Sequence, residues 1–176
     1  MITLVPIAEV RDTVLKSLAP PLREIVSQEV EVAGKLLLPE DGWSWSRSCR
    51  QYLASALLTS VPVPAPGNRA LGITGADLYA PGLNFVFGIA DIEGRRAVIS
   101  LARLRPEFYG SPPDDALFLG RAVKEAVHEL GNTCGLGHCR DPRCVMFFSN
   151  TLHDTDVKGP GFCTACRDKL NRGTSG

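Results

Sequence analysis

Hydrophobic and polar positions along this chain predict alternating strands and helices in its first two thirds. Alternating or continuous apolar runs indicate strands, and apolar residues three or four apart indicate helices. Such runs predict strands over residues 2–6, 29–38, 70–77, 84–90 and 97–104. They predict helices over residues 8–28 and 46–60, and Pro20-Pro21 should break or kink the first of these. The order of elements, with a hairpin turn at Glu93-Gly94, predicts an α/β (α+β) fold whose sheet has one antiparallel edge strand.

A third helix is predicted over about residues 112–133. Ser111 can cap it, prolines suit its first turn, and Gly135 should end it. On a helical wheel His128 and Asn132 lie one turn apart, nearly opposite an apolar stripe that is formed by Leu119, Val123, Ala126, Val127 and Leu130. A histidine buried in an apolar core is therefore a poor interpretation of His128.

The end of this helix carries the long zinc-protease pattern H-E-x-x-H-x-x-G-x-x-H with one letter changed, since Asn132 replaces the second histidine. Ligands at positions i and i+4 of a helix face one ion, and the glycine turns the chain so that a loop histidine approaches the same ion. The glutamate takes a proton from the attacking water and returns it to the leaving amine. His128, Glu129 and His138 are therefore predicted to belong to a present or ancestral zinc site.

Four of the six cysteines have the spacing of a structural zinc site. Cys139-x4-Cys144 is followed, after eighteen residues, by Cys163-x2-Cys166. Four thiolates leave no open coordination position, so this zinc would hold together the loop-rich residues after the helix. The alternative is four free or disulfide-linked cysteines. Cys134 is interpreted as a small buried residue and not as a ligand.

Composition predicts one globular domain over residues 1–176, with a sheet and helix part (1–135) and a zinc-stabilised part (136–176). The 19 basic residues balance 19 acidic ones, so no nucleic-acid partner is expected. Four arginines near the cysteines are interpreted as a solvated rim: Arg140, Arg143, Arg167 and Arg172. Without an export signal or an apolar run of ~20 residues, a cytoplasmic monomer with no membrane partner is expected.

Together these motifs resemble the archaemetzincins, a branch of the metzincin zinc peptidases. The family pattern H-E-x-x-H-x-x-G-x-x-H-C-x4-C-x-M, with a distant C-x-x-C, is matched by His128, Glu129, Gly135, His138, Cys139, Cys144, Met146, Cys163 and Cys166. The resemblance implies a metzincin fold, which has a twisted, mostly parallel sheet of about five strands and an active-site helix. It also implies a methionine turn at Met146 beneath the zinc. Peptide or protein substrates would pair in extended form with an edge strand from Asn84 to Ala90.

Asn132 leaves open whether the implied catalytic site binds zinc, because a carboxamide oxygen is a weaker zinc ligand than imidazole. Zinc could bind weakly through His128 and His138, His153 could supply another imidazole, or the site could be empty. The sequence thus predicts a zinc-dependent metallopeptidase that uses Glu129 as general acid and base, with its catalytic zinc weakened or lost. The alternative is an inactive peptide-binding protein that is stabilised by the structural zinc.

Overall fold

The computed structural model describes residues 1–173, which contain eight strands, five α-helices and two short 3-10 helices, Ala102–Leu104 and Pro106–Tyr109. The strands are β1 (Ile2–Ile7), β2 (Val30–Val32), β3 (Trp45–Ser46), β4 (Gln51–Leu53), β5 (Arg69–Thr74), β6 (Leu78–Tyr79), β7 (Gly88–Asp91) and β8 (Arg96–Ser100). The α-helices are α1 (Asp12–Val26), α2 (Ala54–Ser60), α3 (Asp115–Thr133), α4 (Leu152–Val157) and α5 (Thr164–Gly173). None of these helices is both long and apolar enough to cross a membrane.

Five strands form the main sheet in the order β2-β1-β5-β8-β7. The first four are parallel to their neighbours, whereas β7 pairs antiparallel with β8, with Gly88 opposite Ile99 and Asp91 opposite Arg96. The predicted α/β class, mostly parallel sheet and antiparallel edge strand are therefore confirmed. Regular pairing of the edge strand begins only at Gly88, so the predicted strand from Asn84 is too long at its start.

Different helices cover the two faces of the main sheet. Along β1, Ile2 and Leu4 join the core that contains α1 and α3, whereas Val5 and Ile7 join a smaller core with α2. This is the period of two that a strand imposes on its side chains. Helix α3 packs against β5, β7 and β8. Residues of α3 are thereby held beside the antiparallel edge of the sheet.

The first helix continues through Pro20 and Pro21, so of the two predicted outcomes the break is wrong and the kink stays a prediction. Prolines lack the N–H groups that would bond to the carbonyls of Lys16 and Ser17 four residues earlier. Lys16 and Ser17 are both exposed, so water can satisfy these carbonyls. The helix loses hydrogen bonds only on its solvent side, while its apolar face, including Leu18, stays buried.

The strand predicted over residues 29–38 is present only in part. Regular pairing stops after β2, and Leu36 then makes a single bridge to Ile7 of β1. Between them lie Ala33 and Gly34, which lack the branched or aromatic side chains that favour strands.

The helix predicted from Ser46 begins only at Ala54, which is a correction of eight residues. Strands β3 and β4 form an antiparallel pair in its place, and β4 also pairs with β6. The Trp45 and Tyr52 rings, whose centroids are 4.7 Å apart, pack across the β3–β4 pair. Cross-strand aromatic contacts of this kind stabilise sheets and here override a helical pattern.

The start of α3 and the region after it also differ from prediction. Asp114 caps α3 by accepting a 2.9 Å hydrogen bond from the Leu117 N–H, so Ser111 is not the cap. The residues after α3 were expected to be loop-rich, but they contain α4 and α5. A capping box between Thr151 and Asp154 starts α4 and explains this difference locally.

Candidate active site and metal centre

The C-terminal half of α3 borders a cavity of about 220 Å³ that contains two of the predicted site residues. We call this cavity the cleft. Its walls come from the segment that leads into β7, from α3, and from the segment after Met146. The lining residues are 83–88, Glu125, His128, Glu129 and 148–150.

His128 is buried and is oriented by a backbone hydrogen bond. Its Nδ1 lies 2.9 Å from the Val145 carbonyl oxygen and donates to it when the ring is neutral, which leaves Nε2 free to bind a metal. Burial, assisted by the charge of Lys158, lowers the pKa of His128 and so favours the neutral ring. His128 is buried because the chain around Val145 covers that face of the helix, and it lines a polar cleft and not the apolar core.

His138 approaches His128 from the loop after α3. Gly135 ends the helix with a φ of +79°, which is favourable only for glycine, and the chain then turns back toward the cleft. The centroids of the His128 and His138 rings are 5.6 Å apart, and the ring planes meet at 27°. The centroid of the Phe148 ring lies 4.5 Å from that of His138. His138 and His153 are both exposed, and neither is among the residues that line the cleft, but only His138 contacts His128.

Glu129 and Asn132 are hydrogen-bonded to each other. Asn132 Nδ2 donates to Glu129 Oε2 over 3.1 Å. Burial raises the pKa of Glu129 to about 8, and the hydrogen bond from Asn132 opposes this rise. Gly88 of the edge strand lies so close that an added methyl group would be 2.8 Å from Glu129 Cγ. The Glu129 side chain is thus held between the end of its own helix, at Asn132, and the edge strand, at Gly88.

Met146 is fully buried beneath α3 and links the cleft to the cysteines. A methyl group added at Gly131 would lie 2.5 Å from Met146 Sδ, so this close packing depends on glycine. The Met146 carbonyl accepts a 2.8 Å hydrogen bond from the Cys139 N–H. The assignment of Met146 as a methionine turn stays a prediction, and its position suits that assignment.

The four cysteines with metal spacing, Cys139, Cys144, Cys163 and Cys166, converge with all sulfur atoms within 4.8 Å of one another. The N–H groups of Asp141 and Cys163 donate to the sulfurs of Cys139 and Cys144 over 3.5 and 3.3 Å. Burial raises the pKa of Cys144 and Cys166, so four thiolates require a cation between them. The predicted cluster is confirmed, and its donors fit a structural zinc ion. Cys49 is exposed, and Cys134 is half-buried and outside this cluster.

Similarity to known proteins agrees with this geometry. Residues 64–172 match the model of Peptidase family M54. This chain belongs to peptidase family M54. It is 44% identical over 165 residues to an archaemetzincin from Methanocaldococcus jannaschii, an alignment that covers 94% of this chain and 89% of that protein. The resemblance to archaemetzincins that was expected from the motifs is therefore confirmed.

Solved archaemetzincin structures share the fold of this family M54 chain. The crystal structure of archaemetzincin from Methanopyrus kandleri matches with a TM-score of 0.82 and 41% identity, over 98% of this chain and 94% of that one. A zinc-dependent peptidase from Methanocorpusculum labreanum matches with a TM-score of 0.86 and 29% identity, over 97% and 100% of the two chains. The predicted metzincin-type architecture is thus confirmed.

Sequence reasoning missed one charged residue of this family M54 cleft, Glu125, and the buried lysine beside it, Lys158. Glu125 lines the cavity one turn before Glu129, and Lys158 Nζ lies 2.9 Å from Glu125 Oε1, although it is not aligned for a hydrogen bond. The spacing of four to Glu129 could have indicated Glu125, because residues i and i+4 share a helix face. Lys158 carries no such signal, since a lysine between helices is usually solvated.

Proposed function

We propose that this chain is a zinc-dependent peptidase that binds extended peptides in the cleft. The observation that carries the proposal is that His128 and Glu129 line the cleft beside the antiparallel edge strand, with the ring centroid of His138 5.6 Å from that of His128. Because β7 is the last strand of the sheet, its outer edge can pair with the backbone of an extended peptide. The substrate class is therefore a peptide or an unfolded segment of a protein.

The cleft offers two imidazole ligands where the zinc-protease pattern has three. His128 Nε2 and a ring nitrogen of His138 would hold the ion, which would supply Lewis-acid activation of water and of the scissile carbonyl. Glu129 would accept the proton of the attacking water and pass it to the leaving amine. Asn132 contributes only a neutral carboxamide, so we expect this site to bind zinc far more weakly than the four cysteines.

A second candidate is a peptide-binding protein that does not hydrolyse its ligand. The hydrogen bond from Asn132 to Glu129 favours this second candidate. The zinc-protease pattern has a metal ligand at residue 132, whereas here the side chain at that position donates a hydrogen bond to the Glu129 carboxylate. Both candidates use the same cleft and the same class of partner. They differ in whether a second zinc ion is held at His128 and His138.

Zinc content and peptide hydrolysis test the proposal together. After dialysis with excess zinc, the protein should hold two zinc ions, lose the second to mild chelation, and cleave an unstructured peptide. Glu129→Gln should lower kcat by about 10²–10⁴-fold, the usual contribution of a general acid–base. Glu107→Gln, at an exposed carboxylate, is the matched control. One zinc ion and no cleavage, with peptide still bound, would contradict hydrolysis and support the second candidate.

A further inference from the structure

We infer that the cleft contains a pocket for a neutral hydrogen-bonding side chain of the peptide, that of glutamine or asparagine. Glu125 and Ser149 would be its specificity-determining residues. The inference rests on the proposed function, since it requires a peptide in the cleft. It depends on two polar groups of the cavity wall whose hydrogen-bonding capacity the protein itself leaves unused.

Glu125 is a buried carboxylate that uses only one of its two oxygens within the protein. Oε1 accepts a 2.9 Å hydrogen bond from Thr155 Oγ1 and lies 2.9 Å from Lys158 Nζ. Among residues 1–173, no donor is hydrogen-bonded to Oε2, and Glu125 forms part of the cavity wall. A carboxylate oxygen accepts hydrogen bonds, so Oε2 is an acceptor that is available to a ligand in the cavity.

Ser149 supplies the second unused group. Its Oγ is buried and has no hydrogen-bond partner in the described part of the chain. Ser149 itself is half-buried and lines the same cavity, so rotation of its side chain would bring Oγ to a ligand there. A hydroxyl group can donate as well as accept. Phe85, Phe87 and Phe148 give the same cavity apolar walls. These features suit a side chain with a short apolar stem and an end that both donates and accepts, which describes a carboxamide.

The charges around the cavity disfavour charged side chains. Lys158, whose side chain is 0% exposed, already neutralises Glu125, so a second ammonium group would lose its water and face Lys158 across one carboxylate. An acidic side chain would lose its water beside Glu125, whose ion-pair partner Lys158 is already engaged. An apolar side chain would leave Glu125 Oε2 and Ser149 Oγ unpaired. A neutral hydrogen-bonding side chain avoids all three penalties.

Binding of matched peptides tests the inference without requiring hydrolysis. Fluorescent peptides acetyl-Ala-Ala-X-Ala-Ala-amide, in which X is glutamine, methionine, lysine or glutamate, are titrated with zinc-loaded protein that carries Glu129→Gln to suppress cleavage, and mass spectrometry checks that they stay intact. Glutamine and methionine are similar in size, but only glutamine can pair with both polar groups. We expect the glutamine peptide to bind about 10-fold more tightly than the methionine peptide. It should also exceed the lysine and glutamate peptides.

Two variants assign the preference to the named residues. Ser149→Ala should reduce the advantage of glutamine over methionine to about 3-fold. The double variant Glu125→Leu/Lys158→Met removes both charges together and should make the methionine peptide the tighter ligand. Ser55→Ala, at an exposed serine on α2, is the matched control. Zinc content and Tm establish that each variant is folded.

The outcomes separate this inference from the proposed function. Tightest binding of the lysine peptide would overturn the inference by showing an anionic pocket. Equal binding of the glutamine and methionine peptides would overturn it by showing that water satisfies the two polar groups. In both cases the proposed function would stand, because peptides would still bind. If no peptide bound to the wild-type protein, both would fall.

Discussion

The two candidate metal sites of this chain differ in the completeness of their ligand sets, although the turn at Met146 connects one site to the other. At the cysteine cluster four sulfur atoms lie within 4.8 Å of one another. At the cleft the rings of His128 and His138 are 5.6 Å apart, and Asn132 is hydrogen-bonded to Glu129 instead of offering an imidazole. The cluster is a closed donor set of the structural type. The cleft keeps open positions but has few strong ligands.

The difference follows from how each site is supported. Packing of α3 against the sheet already builds the cleft, while Val145 orients His128 and Gly88 lies against Glu129. A ligand change at residue 132 therefore leaves the framework intact. The cysteine cluster instead joins residues 139–166, a region with few buried apolar side chains, so its ligands are part of what folds that region. A catalytic site can lose a ligand and keep its fold more easily than a structural site can.

Cys163→Ser is expected to have the largest effect, because it breaks the complete site. Structural zinc contributes an apparent ~10–16 kcal/mol in zinc-finger peptides, and a serine hydroxyl is a poor replacement for thiolate. Elemental analysis should show loss of the tightly held zinc, and calorimetry should show a fall in Tm of more than ~10 °C. Cys49→Ser, at an exposed thiol outside the cluster, should change neither value. Unchanged zinc content in Cys163→Ser would disprove the four-cysteine site.

Asn132→His should complete the incomplete site. Loss of a partner outside the coordination sphere already costs ~10–100-fold in metal affinity, so a restored ligand should raise the affinity for the second zinc by at least about 100-fold. Zinc titration by calorimetry, with the cysteine cluster filled beforehand, measures this change. Asn132→Ala removes the hydrogen bond to Glu129 without adding a ligand, and it should bind the second zinc no better than wild type. If Asn132→His held only one zinc ion in excess metal, the placement of the cleft would be wrong.

Both sites were predictable in their chemistry because ligands for one ion must converge, whatever fold lies between them. The spacing of Cys139 and Cys144 from the later pair identified the cluster without any knowledge of α5. Long apolar strands such as β1 and β5 were also predictable, because their continuous burial leaves few alternatives. The T-x-x-D capping box that begins α4 was a local signal that could have been used.

The remaining differences arise from contacts that are distant in sequence. Tyr52 lies in a strand because it pairs with Leu78 of β6, a contact that no local pattern reveals. The Glu125–Lys158 ion pair is similarly hidden, since charged residues are seldom buried and each one alone suggests a solvated surface. Asn132 is the opposite case. Its identity was plain in the sequence, but its hydrogen bond to Glu129 required the structure.

Gly131→Ala tests whether the two sites are independent, with a smaller expected effect. A methyl group there would lie 2.5 Å from Met146 Sδ and 3.1 Å from the Phe162 ring, and overpacking of this kind costs ~1–3 kcal/mol. The Tm should fall by several degrees. Gly120→Ala is the matched control on the same helix, because nothing lies within 4 Å of an added methyl group. It should stabilise the protein by up to ~1 kcal/mol, through the higher helix propensity of alanine.

Zinc content of the Gly131→Ala variant then separates local from shared support. Met146 carries the strain at the cleft, and its carbonyl also accepts the hydrogen bond from Cys139. If the cleft is the less constrained region, the variant should lose affinity for the second zinc while the cysteine cluster keeps its own. Loss of both zinc ions would show instead that the turn at Met146 transmits strain directly, and the complete site would then depend on the incomplete one.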